Sequence, residues 1–518
     1  MEDLRSNILS QIHGKKCWPS VEKVSPCEDA CPLRMDVPSY VLAIAQGRFA
    51  EALQIIRETN PFPSICGRVC HHPCETNCNR ALLDEPVAIS SLKRFVADGV
   101  LKNAPRPSSA RPTEKEKVAV IGSGPAGLAA AYDLARKGYG VTVYEESAIP
   151  GGMLTSGIPE FILPREVVLA EIEMIKSSGV AIKTAVAVGR TISPEDLRKA
   201  GYQAILLATG AQKNISISIP GVELRNIHYA LPLLRKVNGG HKISFPGRVL
   251  VIGGGAVAMD AARLVRRLGA EEVHVACLES REKMPAPDWL IAEAVREGVK
   301  MHTSLAAQKF TEDSRKGIRV EFQRVASTHT DADGRISWTL LEGPGSRLDM
   351  EFDSIILAVG QAPDPVFAVG LGVKAKERGT FIVDEDSLET TVPGVFAAGD
   401  AVSLRGTVVE AIAAGQKAAR AIETYLKGGD PKRIPRPAVK EVIRIEPESA
   451  APWLTRKARW MPPFLSPGDA VRTFGEAQLG YTRAMAVEEA KRCLNCRMCV
   501  NCLYGRSQVC FETGMRLL

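Results

Sequence analysis

The strongest constraint on this chain is a duplicated unit of strand, glycine-rich turn, helix and strand. The copies are KVAVIGSGPAGLAAAYDLARKGYGVTVYE and RVLVIGGGAVAMDAARLVRRLGAEEVHVACLE. In the first, Gly122, Gly124 and Gly127 form G-x-G-x-x-G between a strand and a helix. Gly122 permits the tight turn, Gly124 lets the backbone approach a pyrophosphate, and Gly127 lets helix and sheet pack closely. The helix N-terminus then turns unpaired N–H groups toward the phosphates. Glu145 ends the next strand, where its carboxylate can accept hydrogen bonds from ribose hydroxyls. The second unit has Gly253, Gly255 and Ala258 in the corresponding places. One such motif can be a tight turn of an unrelated α/β domain, but two predict an α/β chain with two Rossmann-like dinucleotide sites.

Composition agrees with that class. Hydrophobic residues make up 45% and charged residues 24%, which excludes disorder and a fibrous architecture. The 44 glycines against 5% aromatics suit tight strand-to-helix turns better than a β-sandwich. At roughly 150 residues per domain, the length predicts three or four domains. The net charge of +7 is spread without a dense Lys/Arg block, so no nucleic-acid partner is expected. No apolar run reaches the length of a membrane span, and MEDLRSNILSQIHGKK lacks the apolar core of a signal peptide. A cytoplasmic protein is expected.

The thirteen cysteines fall at the two ends. Seven precede residue 80 (Cys17, Cys27, Cys31, Cys66, Cys70, Cys74, Cys78) and five follow residue 490 (Cys493, Cys496, Cys499, Cys502, Cys510). Only Cys277 lies between, in an expected strand where it reads as a small buried hydrophobe. Clustered thiols in a large cytosolic chain point to metal rather than disulfides. On spacing alone, a pair of structural zinc sites is one reading and thiolate ligation of iron–sulfur clusters the other.

Patterning divides the chain into a helical segment with the first cysteines (1–112), a strand–helix block (113–430) and an extended, Pro-rich arm ending in the last cysteines (431–518). VPSYVLAIAQGRFAEALQIIRETN and ISSLKRFVADGVL carry apolar residues at helical spacing, and NAPRPSSARPTEKEK is a linker. LLATGA and ILAVGQ are short apolar strands ending in Gly, TVPGVFAAGDA ends in Gly399-Asp400, and VVEAIAAGQKAARAIETYL is a helix. A short helix near Thr482–Lys491 delivers the last cysteines.

On these motifs residues 113–430 resemble the two-dinucleotide-binding flavoproteins, whose nicotinamide domain is inserted into the FAD domain. PGGMLTSGIPEFILP narrows the resemblance to the small subunit of glutamate synthase and the flavin portion of dihydropyrimidine dehydrogenase. CGRVCHHPCETNCNR and EPVAISSLKRF are similar to the iron–sulfur domain of the same group. The resemblance implies an FAD domain in two parts (113–245 and 351–430) around an NAD(P)H domain (246–350). It also implies that Asp400 holds the ribityl chain or pyrophosphate of FAD. Disulfide reductases of this fold carry a redox cysteine pair near the flavin, which the middle of this chain lacks, so electrons are expected to leave through clusters.

In the resembling group two 4Fe–4S clusters occupy the N-terminal domain. One uses a C-x2-C pair with cysteines matching Cys27 and Cys78. The other uses cysteines matching Cys31, Cys70 and Cys74 with a Gln or Glu. Here the Gln/Glu position is Lys93, a poor ligand, and Cys66 is a natural substitute. The upstream C-x2-C is missing, yet EAKRCLNC at the other end reads like it. Two arrangements stay open: Cys493 and Cys496 complete the Cys27–Cys78 site, or the C-terminal cysteines, including Cys499, Cys502 and Cys510, bind their own cluster. Two to three 4Fe–4S clusters are expected.

The resemblance implies an NAD(P)H-dependent oxidoreductase that takes hydride at FAD and passes single electrons to a protein subunit or, reversibly, ferredoxin. With no room for a second substrate-transforming domain, the chain is expected to be the electron-input subunit of a hetero-oligomer. The alternative is an assembly or sensing protein whose FAD and clusters do not turn over. No side chain is nominated as a general acid or base. NADPH-using members carry two adjacent arginines after the second strand of the nicotinamide domain, where this chain has Leu278-Glu279 in CLESREKMPA. Glu279 can bond the 2′-hydroxyl of NADH and repel a 2′-phosphate, so NADH is expected over NADPH. Against this, Glu279 also reads as a solvated loop residue, and Arg281 and Lys283 could each swing toward a phosphate.

Overall fold

The computed structural model describes residues 23–101, 116–312, 317–331, 336–404, 406–434, 441–442 and 456–496. Each duplicated unit seeds a five-stranded parallel sheet. The first runs Val395–Ala397, Tyr202–Leu207, Lys117–Ile121, Gly140–Tyr144, Ala181–Lys183. Val118, Ala119 and Val120 are fully buried, as expected of a parallel strand covered on both faces. The second runs Lys300–His302, Glu272–Ala276, Arg248–Ile252, Ser354–Leu357, Ile227–Tyr229. Ile227–Tyr229 and Ser354–Leu357 lie on either side of 246–350, so the second domain draws in more chain than the sequence suggests. The strand of ILAVGQ pairs with the second sheet rather than the first, because Ile355 and Ile356 find their register beside Leu250 and Val251.

A second difference lies between these strands. Instead of strand–helix alternation, Leu305–Glu312, Ile318–Thr330, Ile336–Leu340 and Arg347–Phe352 form an antiparallel sheet. Lys213–Asn214 and Gln361–Ala362 pair antiparallel where the chain leaves and re-enters the first domain.

The N-terminal segment is helical, although VPSYVLAIAQGRFAEALQIIRETN is two helices, Val37–Ala45 and Phe49–Thr59. Gly47, at φ 75°, takes the left-handed turn that ends the first. Pro63–Val69 and Ile89–Leu101 follow, and they touch at Gly67, where a Cβ would lie 2.7 Å from the Arg94 Cα. This segment shares one core with the first sheet's helices, running from Cys27 through Leu128 and Ile422 to Ala490. No helix among the described residues is long and apolar enough to cross a membrane.

Polar links fix the seams. Ala477 N donates to the Phe161 carbonyl (3.3 Å) and Arg267 Nε to the Thr473 carbonyl (3.0 Å), so the arm lies across both dinucleotide domains. Arg68, nearly buried, pairs with both Asp98 and Glu476 at 2.7 Å, which ties the arm to the iron–sulfur helices. From the first dinucleotide domain, buried Glu171 accepts hydrogen bonds from Ser64 N (2.7 Å) and Ile65 N (3.2 Å), satisfying the first turn of Pro63–Val69.

Burial pushes the Glu171 carboxyl up to about 8 from its ordinary 4.5, against those N–H donors and Arg57. The folded protein therefore keeps a proton that the unfolded chain releases. That contribution to stability is complete below pH 4.5 and is lost as pH rises through about 8. Melting curves from about pH 5 to about pH 9 should show the wild type losing stability relative to Glu171→Gln. Glu171→Ala should cost ~1–3 kcal/mol by orphaning the two N–H groups.

Candidate functional site

Both glycine-rich turns are shaped for a ligand. Gly122 (φ 104°) and Gly253 (φ 141°) adopt backbone that side chains rarely tolerate. At Gly124 and Gly255 an added Cβ would meet nothing within 4 Å. Neither following helix, Pro125–Arg136 or Ala256–Arg267, has its first turn capped by a side chain. Their uncapped first turns lie beside these open glycines, the arrangement that suits an anion at a helix N-terminus. At Gly127 a Cβ would sit 2.1 Å from the Gly122 oxygen, and buried Ala258 takes the matching place in the second unit.

The acids at the strand ends bend back over these turns. Glu145 Oε2 accepts from Ser123 N (3.0 Å) and Ser123 Oγ (2.5 Å), and Oε1 accepts from Ser147 N (2.8 Å). Each carboxylate oxygen keeps acceptor capacity for a ribose hydroxyl. Ser123 Oγ also accepts from Gly151 N at 2.9 Å, which docks the PGGM segment on the turn. Ser123 was not singled out in the sequence because it fills an unspecified position of the motif. In the second unit, Gly254 occupies the Ser123 place, and a Cβ there would lie 2.8 Å from Glu279 Oε2. Glu279 is 8% exposed, so it is a turn-facing acid rather than a solvated loop residue.

Gly399–Ala401 closes the first site from the opposite side. A Cβ on Gly399 (φ 72°) would lie 2.9 Å from the Ala126 Cβ. One on Gly415, in the Val408–Leu426 helix, would lie 2.1 Å from the Ala126 oxygen. This packing sets Asp400 beside the start of Pro125–Arg136. Burial pushes the Asp400 carboxyl up to about 6, opposed by the Gly406 N–H that it accepts at 3.3 Å. Cys277 lies just past its strand, buried, and burial pushes its thiol up to about 12, with Glu279 adding to the effect. It is no thiolate nucleophile.

The structure gathers eight other cysteines into two sets. Cys27, Cys78, Cys493 and Cys496 line one cavity, open in part to solvent. Cys31, Cys66, Cys70 and Cys74 surround buried Lys93, on which all four act electrostatically. Among the described residues no three His, Cys, Asp or Glu side chains converge closely enough for a single metal ion. The first set rings a cavity, as the larger core of an iron–sulfur cluster requires. Burial pushes the thiols of Cys27 and Cys66 up to about 12, so thiolates here need a cationic core. The buried Tyr40 hydroxyl has no hydrogen-bond partner among the described residues, and Cys74, Cys31 and Cys27 act on it from both sets. A cluster sulfur would satisfy that donor. Tyr40 was missed because it sits in an apolar helical pattern that reads as core. Cys17, Cys499, Cys502 and Cys510 lie outside the described residues.

The two chain ends meet through charge. Arg492, fully buried, pairs with Glu489 (2.7 Å) and Asp84 (2.9 Å) and donates to the Glu85 carbonyl (2.6 Å). Glu489 also accepts from Ala88 N at 2.8 Å. Asn79 Nδ2 then reaches Cys496 Sγ at 3.4 Å.

Comparison with known proteins agrees with this layout. The pyridine nucleotide-disulphide oxidoreductase family matches residues 116–418, and the dihydropyrimidine dehydrogenase domain II, 4Fe-4S cluster family matches residues 10–104. The beta subunit of the NADP(+)-dependent formate dehydrogenase of Moorella thermoacetica is 36% identical over 91% of this chain and 70% of its own length. Subunit PreT of the NAD-dependent dihydropyrimidine dehydrogenase of Escherichia coli K12 is 36% identical, covering 78% of this chain and 92% of PreT. The glutamate synthase [NADPH] small chain of Mycobacterium tuberculosis is 35% identical over 78% of this chain and 86% of its own. The solved FprA of Mycobacterium tuberculosis in complex with NADPH shares the fold, with a TM-score of 0.51 at 17% identity over 61% of this chain and 85% of that one.

The Ala126–Gly415 approach yields a specific test. Gly415→Ala places a methyl against backbone that cannot move aside, which should cost ~1–3 kcal/mol. Purified variant should carry less than half the wild-type flavin per chain by absorbance, with iron retained.

Proposed function

The chain belongs to the pyridine nucleotide-disulphide oxidoreductase family, and from that premise we propose that it is the electron-input subunit of a larger complex. It is an NAD(P)H-dependent oxidoreductase carrying FAD and 4Fe–4S clusters. When bound, FAD converts a two-electron hydride into the single electrons that clusters accept. An acceptor subunit is supported by the relatives, which are named as subunits or chains of larger enzymes. Ferredoxin, with transfer in either direction, is the other acceptor we consider.

The residue roles follow from the site. Gly122, Gly124 and the Pro125–Arg136 N-terminus take the FAD pyrophosphate, with Glu145 on the ribose and Gly399–Asp400 on the far side. Gly253, Gly255 and Ala258 form the nicotinamide-nucleotide turn. Cys27, Cys78, Cys493 and Cys496 are the ligands of one cluster, and Cys31, Cys66, Cys70 and Cys74 of a second. The observation that carries the proposal is that Cys27 of one thiol set and all four thiols of the other are packed into the same core as the helices of the first dinucleotide site. Its test is steady NADH-dependent reduction of an artificial dye by the anaerobically purified protein. A coloured protein with no turnover would favour the assembly or sensing role instead.

For the nicotinamide we propose NADH. Glu279 holds the place over the second turn that Glu145 holds over the first, where it can accept from a 2′-hydroxyl. A 2′-phosphate there would meet like charge within hydrogen-bonding distance, at a cost of a few kcal/mol, on the order of a hundredfold in affinity. Arg281, which could otherwise offset Glu279, is paired with Asp288 at 2.9 Å. The relatives' names include both NADP and NAD, so relatedness alone leaves the preference open. Dye reduction with each nucleotide at matched concentration should be faster with NADH. Replacing Leu278 and Glu279 with arginines should shrink or reverse that difference. Faster wild-type turnover with NADPH would overturn the assignment.

A further inference from the structure

We propose that Lys93 is the built-in counter-charge of the Cys31–Cys66–Cys70–Cys74 site and holds its reduction potential above that of the Cys27–Cys78–Cys493–Cys496 site. The inference rests on reading both sets as 4Fe–4S ligands.

Reducing a thiolate-ligated cluster by one electron adds one negative charge to a buried site. A fixed positive charge beside it stabilises the reduced form more than the oxidised form and so raises the potential. The two sites differ in this respect. Lys93, on Ile89–Leu101, is 2% exposed and pairs with no carboxylate among the described residues. Its ammonium is enclosed with the thiols of Cys70, Cys66, Cys74 and Cys31. The acid acting on Cys70 and Cys74 is Glu75, whose charge is answered by Arg459 at 2.6 Å. At the other site the nearby cations are already matched. Arg80 pairs with Asp84 at 2.5 Å, and Arg492 pairs with Asp84 and Glu489. Lys93 is thus an unmatched charge at one site alone among the described residues.

The backbone is arranged to bring it there. At Gly67 the absent side chain lets Pro63–Val69 lie against Arg94, the neighbour of Lys93, with room for no more than hydrogen between them. Cys66, the neighbour of Gly67, is thereby held close to the helix that bears Lys93. In the resembling group this position supplies a Gln or Glu ligand. With Cys66 as the fourth thiolate, the lysine is freed from ligation and is left to answer the negative charge of the thiol set.

The test is anaerobic potentiometric titration of the full chain, read by electron paramagnetic resonance, with iron and sulfide counted for each protein. Lys93→Met should keep its iron and lower one midpoint by at least about 59 mV, a tenfold change in the reduced-to-oxidised ratio for one electron. The other midpoint should stay in place, and Lys93→Arg should hold both near wild type. A fully loaded Lys93→Met with unmoved midpoints would overturn the inference. A second route needs no change at Lys93. Replacing Cys493 and Cys496 with serine should delete the lower-potential signal, and loss of the higher-potential signal would equally overturn it. Wild type lacking acid-labile sulfide would instead sink the cluster reading itself.

Discussion

The structure turns on the docking of the chain's last described helix against the loop that follows the first cysteines. Arg492 and Glu489 are both wholly buried there, and Asp84 and the Ala88 N–H complete the network. Buried ion pairs are a poor source of net stability, because desolvation consumes most of their attraction. They are strict about geometry, however, since any slip leaves a charge without its partner. That strictness suits the position. Cys493 and Cys496 follow directly, so fixing Arg492 fixes two thiols across the cavity from Cys27 and Cys78. Two segments more than 400 residues apart in sequence (Asn79 and Cys496, for example) are thereby built into one site.

Charge is managed differently at the two thiol sets. Around the Cys27 cavity, cations and carboxylates are matched locally, and the thiols line a partly open cavity. Around Cys66 the lysine is the positive group enclosed with the thiols. The helix bearing Cys66 is also held from the first dinucleotide domain by Glu171. That anchor ties the geometry of this thiol set to the packing of the domain that resembles an FAD domain, so neither can shift alone.

Much of this was legible in the residues because its chemistry is local. A glycine turn found twice between strand and helix narrows the reading to dinucleotide sites, and Glu145 lies directly after its strand. The helices Ile89–Leu101 and Val408–Leu426 follow directly from apolar periodicity. What escaped was non-local. Ser354–Leu357 has the same apolar content whichever sheet it joins, so its partner could not be read from its composition. The antiparallel strands at 305–352 alternate only in part, and their long middle strand is half exposed. Lys93 could be seen as an unsuitable ligand, but its enclosure by four thiols depends on a helix contact at Gly67 that spacing does not reveal.

Whether one site is assembled from the two ends of the chain is the central claim. Diffraction from anaerobically grown crystals, recorded at the iron absorption edge, tests it directly. The account expects one iron cluster enclosed by Cys27, Cys78, Cys493 and Cys496, and another enclosed by Cys31, Cys66, Cys70 and Cys74. A cluster ligated solely by C-terminal cysteines, or an anomalous signal in either cavity that appears only above the zinc edge and is absent at the iron edge, would contradict it.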